Sequence, residues 1–204
     1  MKVKICGLHP VRDVQLCIDL GVNFLGFVFY KKSPRNLIIT DVPKLKSYNK
    51  KDSSFVAVTV DPSDKFINEI VMNNFEYIQL HGSESKERVK EIKKTGLKII
   101  KTIKVQTESD IYNYRQYDFA DIILFDTPSM EKSKEFPIDL ISKIPKGDKY
   151  AVAGSVSLNN IDNIAKLGVN FCDLSSSLEL DKQIGYKDHL KIKKFIKKIN
   201  EFKN

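Results

Sequence analysis

The sequence predicts an α/β protein folded as a single (β/α)8 barrel, the TIM barrel. Short runs rich in β-branched and aromatic residues alternate with longer segments of helical period, which is the signature of parallel strands joined by helical crossovers. This alternation repeats eight times at a spacing of roughly 20–30 residues and uses up all 204 residues, so that 1–204 forms one domain at the lower end of the size range for the fold. A doubly wound sheet is the alternative. It usually has fewer strands and a glycine-rich turn after the first one, whereas "CGLHP" has one glycine and not GxGxxG.

The units follow in order. A strand over Val3–Cys6 leads to a helix over Val11–Leu20, stopped by Gly21. A strand over Phe24–Phe29 precedes a helix over Val42–Tyr48, and one over Phe55–Val60 precedes a helix over Lys65–Asn73, with Asp61 as a candidate cap. The fourth unit pairs Tyr77–Leu80 with Lys86–Thr95, where "GSES" offers Ser83 or Ser85 as cap. Next come Lys98–Thr102 with Ser109–Tyr117 and Asp121–Phe125 with Pro137–Ser142. Tyr150–Ala153 leads to Leu158–Leu167, which Ser157 can cap and Gly168 can stop. Phe171–Leu174 leads to Lys187–Glu201, where Ile192, Phe195, Ile196 and Ile199 make one apolar stripe.

Composition narrows the function classes. No apolar run is long enough to span a membrane, and the N-terminus lacks the apolar segment and cleavage site of a secretory signal, so the cytoplasm is the expected location. Cys6, Cys17 and Cys172 are odd in number and widely spaced, which argues against a disulfide framework and against zinc. The net charge is +8, nearly all of it lysine, with one dense cluster in "KIKKFIKK" at Lys191–Lys198. That cluster reads as the solvated face of an amphipathic helix, and no stacking aromatics interleave it, so no nucleic-acid partner is expected.

In such a barrel the chemistry sits at the C-terminal ends of the strands. Cys6 and Asp126 both terminate strands there and face one cavity. A thiolate can act as a base and a protonated carboxyl as an acid. Alone, Cys6 reads first as a buried core thiol, the default also for Cys17 and Cys172, and it is the partnership with Asp126 that favours a catalytic thiol. Strands seven and eight end in "AGS" and "LSSS", small residues rich in backbone N–H, where this fold usually holds a phosphate. Together these features suggest a proton-transferring enzyme acting on a sugar phosphate. His81 in "LHG" reads as a substrate contact or as a structural histidine; His9 reads as solvated loop and His189 as surface.

The residues in register resemble the phosphoribosylanthranilate isomerase family of tryptophan biosynthesis: "KICG" at Lys4, "GFVFYKKSPRN" at Gly26, "IQLHGSES" at Ile78, "LFDT" at Leu124, "DLSSSLE" at Asp173 and "GYKD" at Gly185. The resemblance implies an Amadori rearrangement of N-(5'-phosphoribosyl)anthranilate to 1-(2-carboxyphenylamino)-1-deoxyribulose 5-phosphate, with no metal or organic cofactor. It makes Cys6 the general base and Asp126 the general acid, and puts Arg35 against the anthranilate carboxylate. His81, Gly154, Ser155, Ser175 and Ser176 complete the expected substrate contacts. The partner is then a small phosphorylated aminosugar, and a monomer is expected.

The chemistry asks for a Cys6 pKa below its ordinary value and an Asp126 pKa above it. Lys4 lies two residues before Cys6, on the same strand face, and is expected to pair with Asp173. That pair reads either as an aid to the Cys6 thiolate or as a purely structural ion pair. The sequence departs from the family where phosphate binds: Ser155 replaces the second glycine of a pair, Ser177 the glycine of SSG, and "PSMEKSKEFPID" a GGTG-like segment. Three readings follow: an active isomerase of reduced rate, a catalytically impaired barrel with a binding role, or another sugar-phosphate isomerase or epimerase.

Overall fold

The computed structural model describes residues 1–9, 11–45, 49–127, 138–154 and 156–202. Eight parallel strands close into a barrel in sequence order, each hydrogen-bonded to the next and the eighth to the first. They are β1 Lys2–Cys6, β2 Phe24–Phe29, β3 Ser54–Thr59, β4 Tyr77–Leu80, β5 Lys98–Lys104, β6 Ile122–Asp126, β7 Tyr150–Ala153 and β8 Phe171–Leu174. The helices are α1 Val11–Asp19, α2 Val42–Leu45, α3 Asp64–Met72, α4 Lys86–Lys93, α5 Glu108–Ile111, α6 Ile138–Ser142, α7 Ile161–Lys166 and α8 His189–Glu201. Among the described residues, no helix is long and apolar enough to cross a membrane.

The period of two along each strand divides the core into two clusters. Outward side chains such as Ile5, Leu25, Phe27, Phe55, Ile99 and Phe125 pack against the helices. Inward side chains such as Phe24, Val56, Ile100, Leu124 and Phe171 fill the barrel itself. Phe24 and Phe171 stack with centroids 4.9 Å apart, and Tyr77 meets Phe24 edge-on at 5.3 Å. Phe171 lies two residues before Asp173, so these rings plug the barrel one inward layer below the polar groups.

Several local expectations are corrected. Asp61 is not the cap of α3; Ser63 is, accepting from Phe66 N, while Asp61 has φ +45° and its carboxylate accepts from Ser83 N. Ser85 rather than Ser83 caps α4. The cap position of α7 is Asn160, whose carboxamide accepts from Ser157 N, so the helix starts later than expected. The fifth helix becomes a 3-10 segment after one turn, over Tyr112–Tyr117. Of the helices expected over Val42–Tyr48 and Pro137–Ser142, residues 46–48 and Pro137 lie outside the described residues, as do 128–137 of the segment after Asp126. The eighth loop holds an unforeseen antiparallel hairpin, β9 Glu179–Leu180 and β10 Gln183–Lys187, which takes Lys187 out of the last helix.

Candidate active site

The strand ends surround one cavity of about 520 Å3, lined by Cys6, Arg35, His81, Asp126, Gly154, Asp173, Ser175 and Ser176 among others. β1 and β6 deliver Cys6 and Asp126 because each is the last residue of its strand and points inward. Ser155 lies outside the described residues.

Beneath Cys6, Lys4 is 1% exposed and donates from Nζ to Asp173 Oδ2 at 2.7 Å. β8 is hydrogen-bonded to β1 with Lys4 opposite Asp173, so the expected pair forms across the seam that closes the barrel. Burial alone would push Lys4 down, but Asp173 and Cys6 reverse this and its amine ends above the usual range. The expectation for Cys6 is corrected. Burial pushes the thiol up, Lys4 and the more distant Lys187 pull it down, Asp173 pushes it up, and the balance lies above the ordinary value. The physical reason is that Asp173 already neutralises much of the Lys4 field, and a dry site disfavours the thiolate.

Gly26 is a site residue that the sequence reading passed over. A Cβ there would stand 3.1 Å from Cys6 Sγ, 3.2 Å from Lys4 Nζ and 3.0 Å from Cys6 Cα. Its missing side chain is what lets the ammonium and the thiol converge.

Asp126 has a partner on β4's far end: His81 Nε2 lies 3.1 Å from Asp126 Oδ2. His81 thus faces both the cavity and the candidate acid. Gln79, two residues earlier, donates to Thr102 Oγ1 at 3.1 Å. Its Oε1 and Asp173 Oδ1 are buried acceptors with no hydrogen-bond partner, and both residues line the cavity.

Arg35 is not free. Its Nε and Nη2 donate to the two carboxylate oxygens of Glu179 at 2.5 and 2.8 Å. Lys187, fully buried, donates to the same carboxylate at 3.0 Å and to Ser175 O at 3.1 Å. Burial works against the Glu179 charge, but Arg35, the Gly185 N–H and Lys187 hold its pKa down at about 2. The hairpin therefore fixes one edge of the guanidinium of Arg35, which lines the cavity. Glu179 and Lys187 fall inside "DLSSSLE" and "GYKD", so the signal was in the sequence, though their partnership with Arg35 was not.

The ends of β7 and β8, where a phosphate is expected, are partly used internally. Ser175 Oγ donates to Cys6 O at 3.1 Å, tying β8 to β1, whereas Ser176 is exposed to the cavity. Gly154 has φ +76°, and a Cβ there would stand 1.7 Å from Thr127 O, so only glycine fits. His9 packs edge-on against Tyr186 at 5.0 Å. His189 is not merely surface: its Nε2 lies 2.8 Å from the buried Asp13 carboxylate. Among the described residues, no group of three or more His, Cys, Asp or Glu converges as a metal site would require.

A sequence model of the family described as N-(5'phosphoribosyl)anthranilate (PRA) isomerase matches residues 3–198. An N-(5'-phosphoribosyl)anthranilate isomerase of Sinorhizobium medicae is 34% identical over 189 residues, covering 87% of this chain and 88% of the relative. The phosphoribosyl anthranilate isomerase of Thermotoga maritima superposes with a TM-score of 0.87 at 27% identity, over 98% of this chain and 99% of that one. A phosphoribosyl anthranilate isomerase in complex with reduced 1-(o-carboxyphenylamino)-1-deoxyribulose 5-phosphate superposes with a TM-score of 0.84 at 26% identity, over 98% and 99% of the two chains.

Proposed function

The chain belongs to the N-(5'-phosphoribosyl)anthranilate isomerase family, and from that premise we propose that Cys6 is its general base and Asp126 its general acid. The chain is an isomerase of tryptophan biosynthesis; what the proposal adds is which residues carry each step.

Asp126 protonates the ribose ring oxygen, and the anilino nitrogen lone pair opens the ring to a Schiff base. The hydrogen bond to His81 orients the carboxyl for that transfer. Cys6 then removes the C2′ proton to give an enolamine, which becomes the ketone. The resting thiol lies above its ordinary pKa. It gives its proton to water as the cationic Schiff base forms, whose charge favours the thiolate, and regains one after the product leaves. Arg35, braced by Glu179, offers its remaining N–H groups to the anthranilate carboxylate. Ser176, Gly154 and Ser155 hold the phosphate. We keep the expectation of a cytoplasmic monomer, 1–204 as one domain, acting on a small phosphorylated aminosugar without a cofactor, a membrane or nucleic acid. The catalytic groups all come from one chain, and light scattering at the monomer mass of 23.4 kDa would bear the monomer out.

The observation that carries this reading is that Cys6 and Asp126 face one cavity with a buried ammonium beneath the thiol. The experiment is turnover of freshly prepared phosphoribosylanthranilate, followed by loss of its fluorescence. Wild type is expected to turn over, and Cys6→Ala and Asp126→Asn each to lose about 100-fold or more. A folded but inert wild type would support the impaired-barrel reading instead.

A further inference from the structure

Asp173 Oδ1 is an unused acceptor beside the reacting groups. The residue is 7% exposed and lines the cavity, its Oδ2 is held by Lys4 at 2.7 Å, and Oδ1 has no hydrogen-bond partner among the described residues. A buried carboxylate oxygen is costly to leave bare, and in a binding cavity the missing donor belongs to the ligand. Its position is specific. β8 adjoins β1, so Asp173 stands beside the strand that ends in Cys6. Its charge is felt by Cys6, and it senses Asp126 and His81 across the cavity. Two other acceptors are bare among the described residues: Asp13 Oδ2 on α1, which does not line the cavity, and Gln79 Oε1, which belongs to β4, four strands away around the barrel from β8, and is neutral.

Resting on the roles given above for Cys6 and Asp126, we propose that Asp173 Oδ1 accepts the substrate's C2′ hydroxyl, turning the C2′ hydrogen toward Cys6, and then takes the hydroxyl proton as the enolamine becomes the ketone. In that step the O2′–H bond breaks and its electron pair becomes the second C2′–O bond. The C1′–C2′ π pair forms a C1′–H bond with the proton that Cys6 carries, which restores the thiolate. Asp173 releases its proton to water and Asp126 regains one, so the cycle closes without net change. Burial raises Asp173 above the usual carboxylate range even beside Lys4, which suits a proton acceptor.

The test is calorimetric binding of reduced 1-(o-carboxyphenylamino)-1-deoxyribulose 5-phosphate and of its counterpart lacking the C2 hydroxyl. Wild type is expected to bind the hydroxylated compound about 10- to 100-fold tighter, as for a hydrogen bond to a charged group. Asp173→Asn is expected to reduce that ratio to about threefold or less. Because an unpaired Lys4 can unfold the barrel, Lys4→Met/Asp173→Leu, which removes both charges together, is the second variant, and its expected ratio is near one. A purely structural Asp173 would weaken both compounds equally and leave the ratio intact, and that result overturns the proposal. A wild type that binds both compounds equally also overturns it. A folded wild type that binds neither compound overturns the site reading itself, and this proposal with it.

Discussion

In the role proposed for Cys6, a thiol can act as a base only through its neighbours. Lys4 is the cation that pulls the Cys6 pKa down most, with Lys187 adding to it, against burial and Asp173. Lys4→Met should therefore push the thiol further up, so the midpoint of its alkylation by iodoacetamide, read on the Cys6 peptide by mass spectrometry, should move to higher pH. An unmoved or lowered midpoint would make the Lys4–Asp173 pair structural only. Arg35 makes a different demand, for shape as well as charge. Its planar fork meets Glu179 with two hydrogen bonds and still presents an N–H edge to the cavity. Lysine cannot do both. Arg35→Lys should raise KM by about 10- to 100-fold with a smaller effect on kcat, since the carboxylate it is proposed to hold does not react. Equal losses in kcat and kcat/KM would instead place Arg35 in the transition state. Gly26→Ala belongs to the same neighbourhood: the added methyl presses on Cys6 and Lys4 rather than on the substrate.

The loops, rather than the strands, decide how firmly these side chains are held. The β4–α4 turn carries His81 and is clamped by a buried ion pair, Glu84 Oε2 to Lys101 Nζ at 2.7 Å. The other oxygen of Glu84 accepts from Asp61 N at 2.9 Å and Gly82 N at 3.1 Å. Lys101 also donates to Gly82 O at 3.0 Å. Glu84→Ala leaves a buried ammonium and two backbone donors bare, and should cost about 3–5 kcal/mol in urea unfolding. A loss under about 1 kcal/mol would mean that water replaces the carboxylate. None of this could be read from the sequence, because Glu84 and Lys101 sit in separate units and only the barrel's closure makes them neighbours. The strands themselves were legible to within a residue or two, since near-continuous apolar runs reflect burial on both faces. Cys6 and Asp126 followed from their places at strand ends. The β9–β10 hairpin was not legible: β9 has only two residues, and β10 carries Gln183, Gly185 and Lys187 where an apolar run would mark a strand. The pairing of Arg35 with Glu179 spans 144 residues and depends on that hairpin.

Closing a barrel buries charges and thiols together, and this sets how stability depends on pH. On the acid side, Glu179 has a folded pKa of about 2, below its ordinary value of 4.5, and Glu84 is also held down by Lys101 despite burial. Groups with depressed folded values stabilise the fold above their unfolded pKa. That contribution is lost as pH falls from about 4.5 toward about 2. On the alkaline side the sign reverses through the core cysteines. Burial pushes Cys17 and Cys172 up to about 12 from 9.0, so above pH 9.0 the unfolded chain releases thiol protons that the folded chain keeps. With fewer protons bound in the unfolded state, stability falls as pH rises, by about 1.4 kcal/mol per pH unit for each thiol between the two values. Cys17→Ala and Cys172→Ala should each lower stability at pH 7 through the cavity they leave, yet flatten this alkaline limb by one proton, and the double variant by two. Urea unfolding at a series of pH values from 8 to 11 measures the slope directly. Unchanged slopes in the variants would show that lysines and tyrosines, rather than the buried thiols, set the alkaline limit.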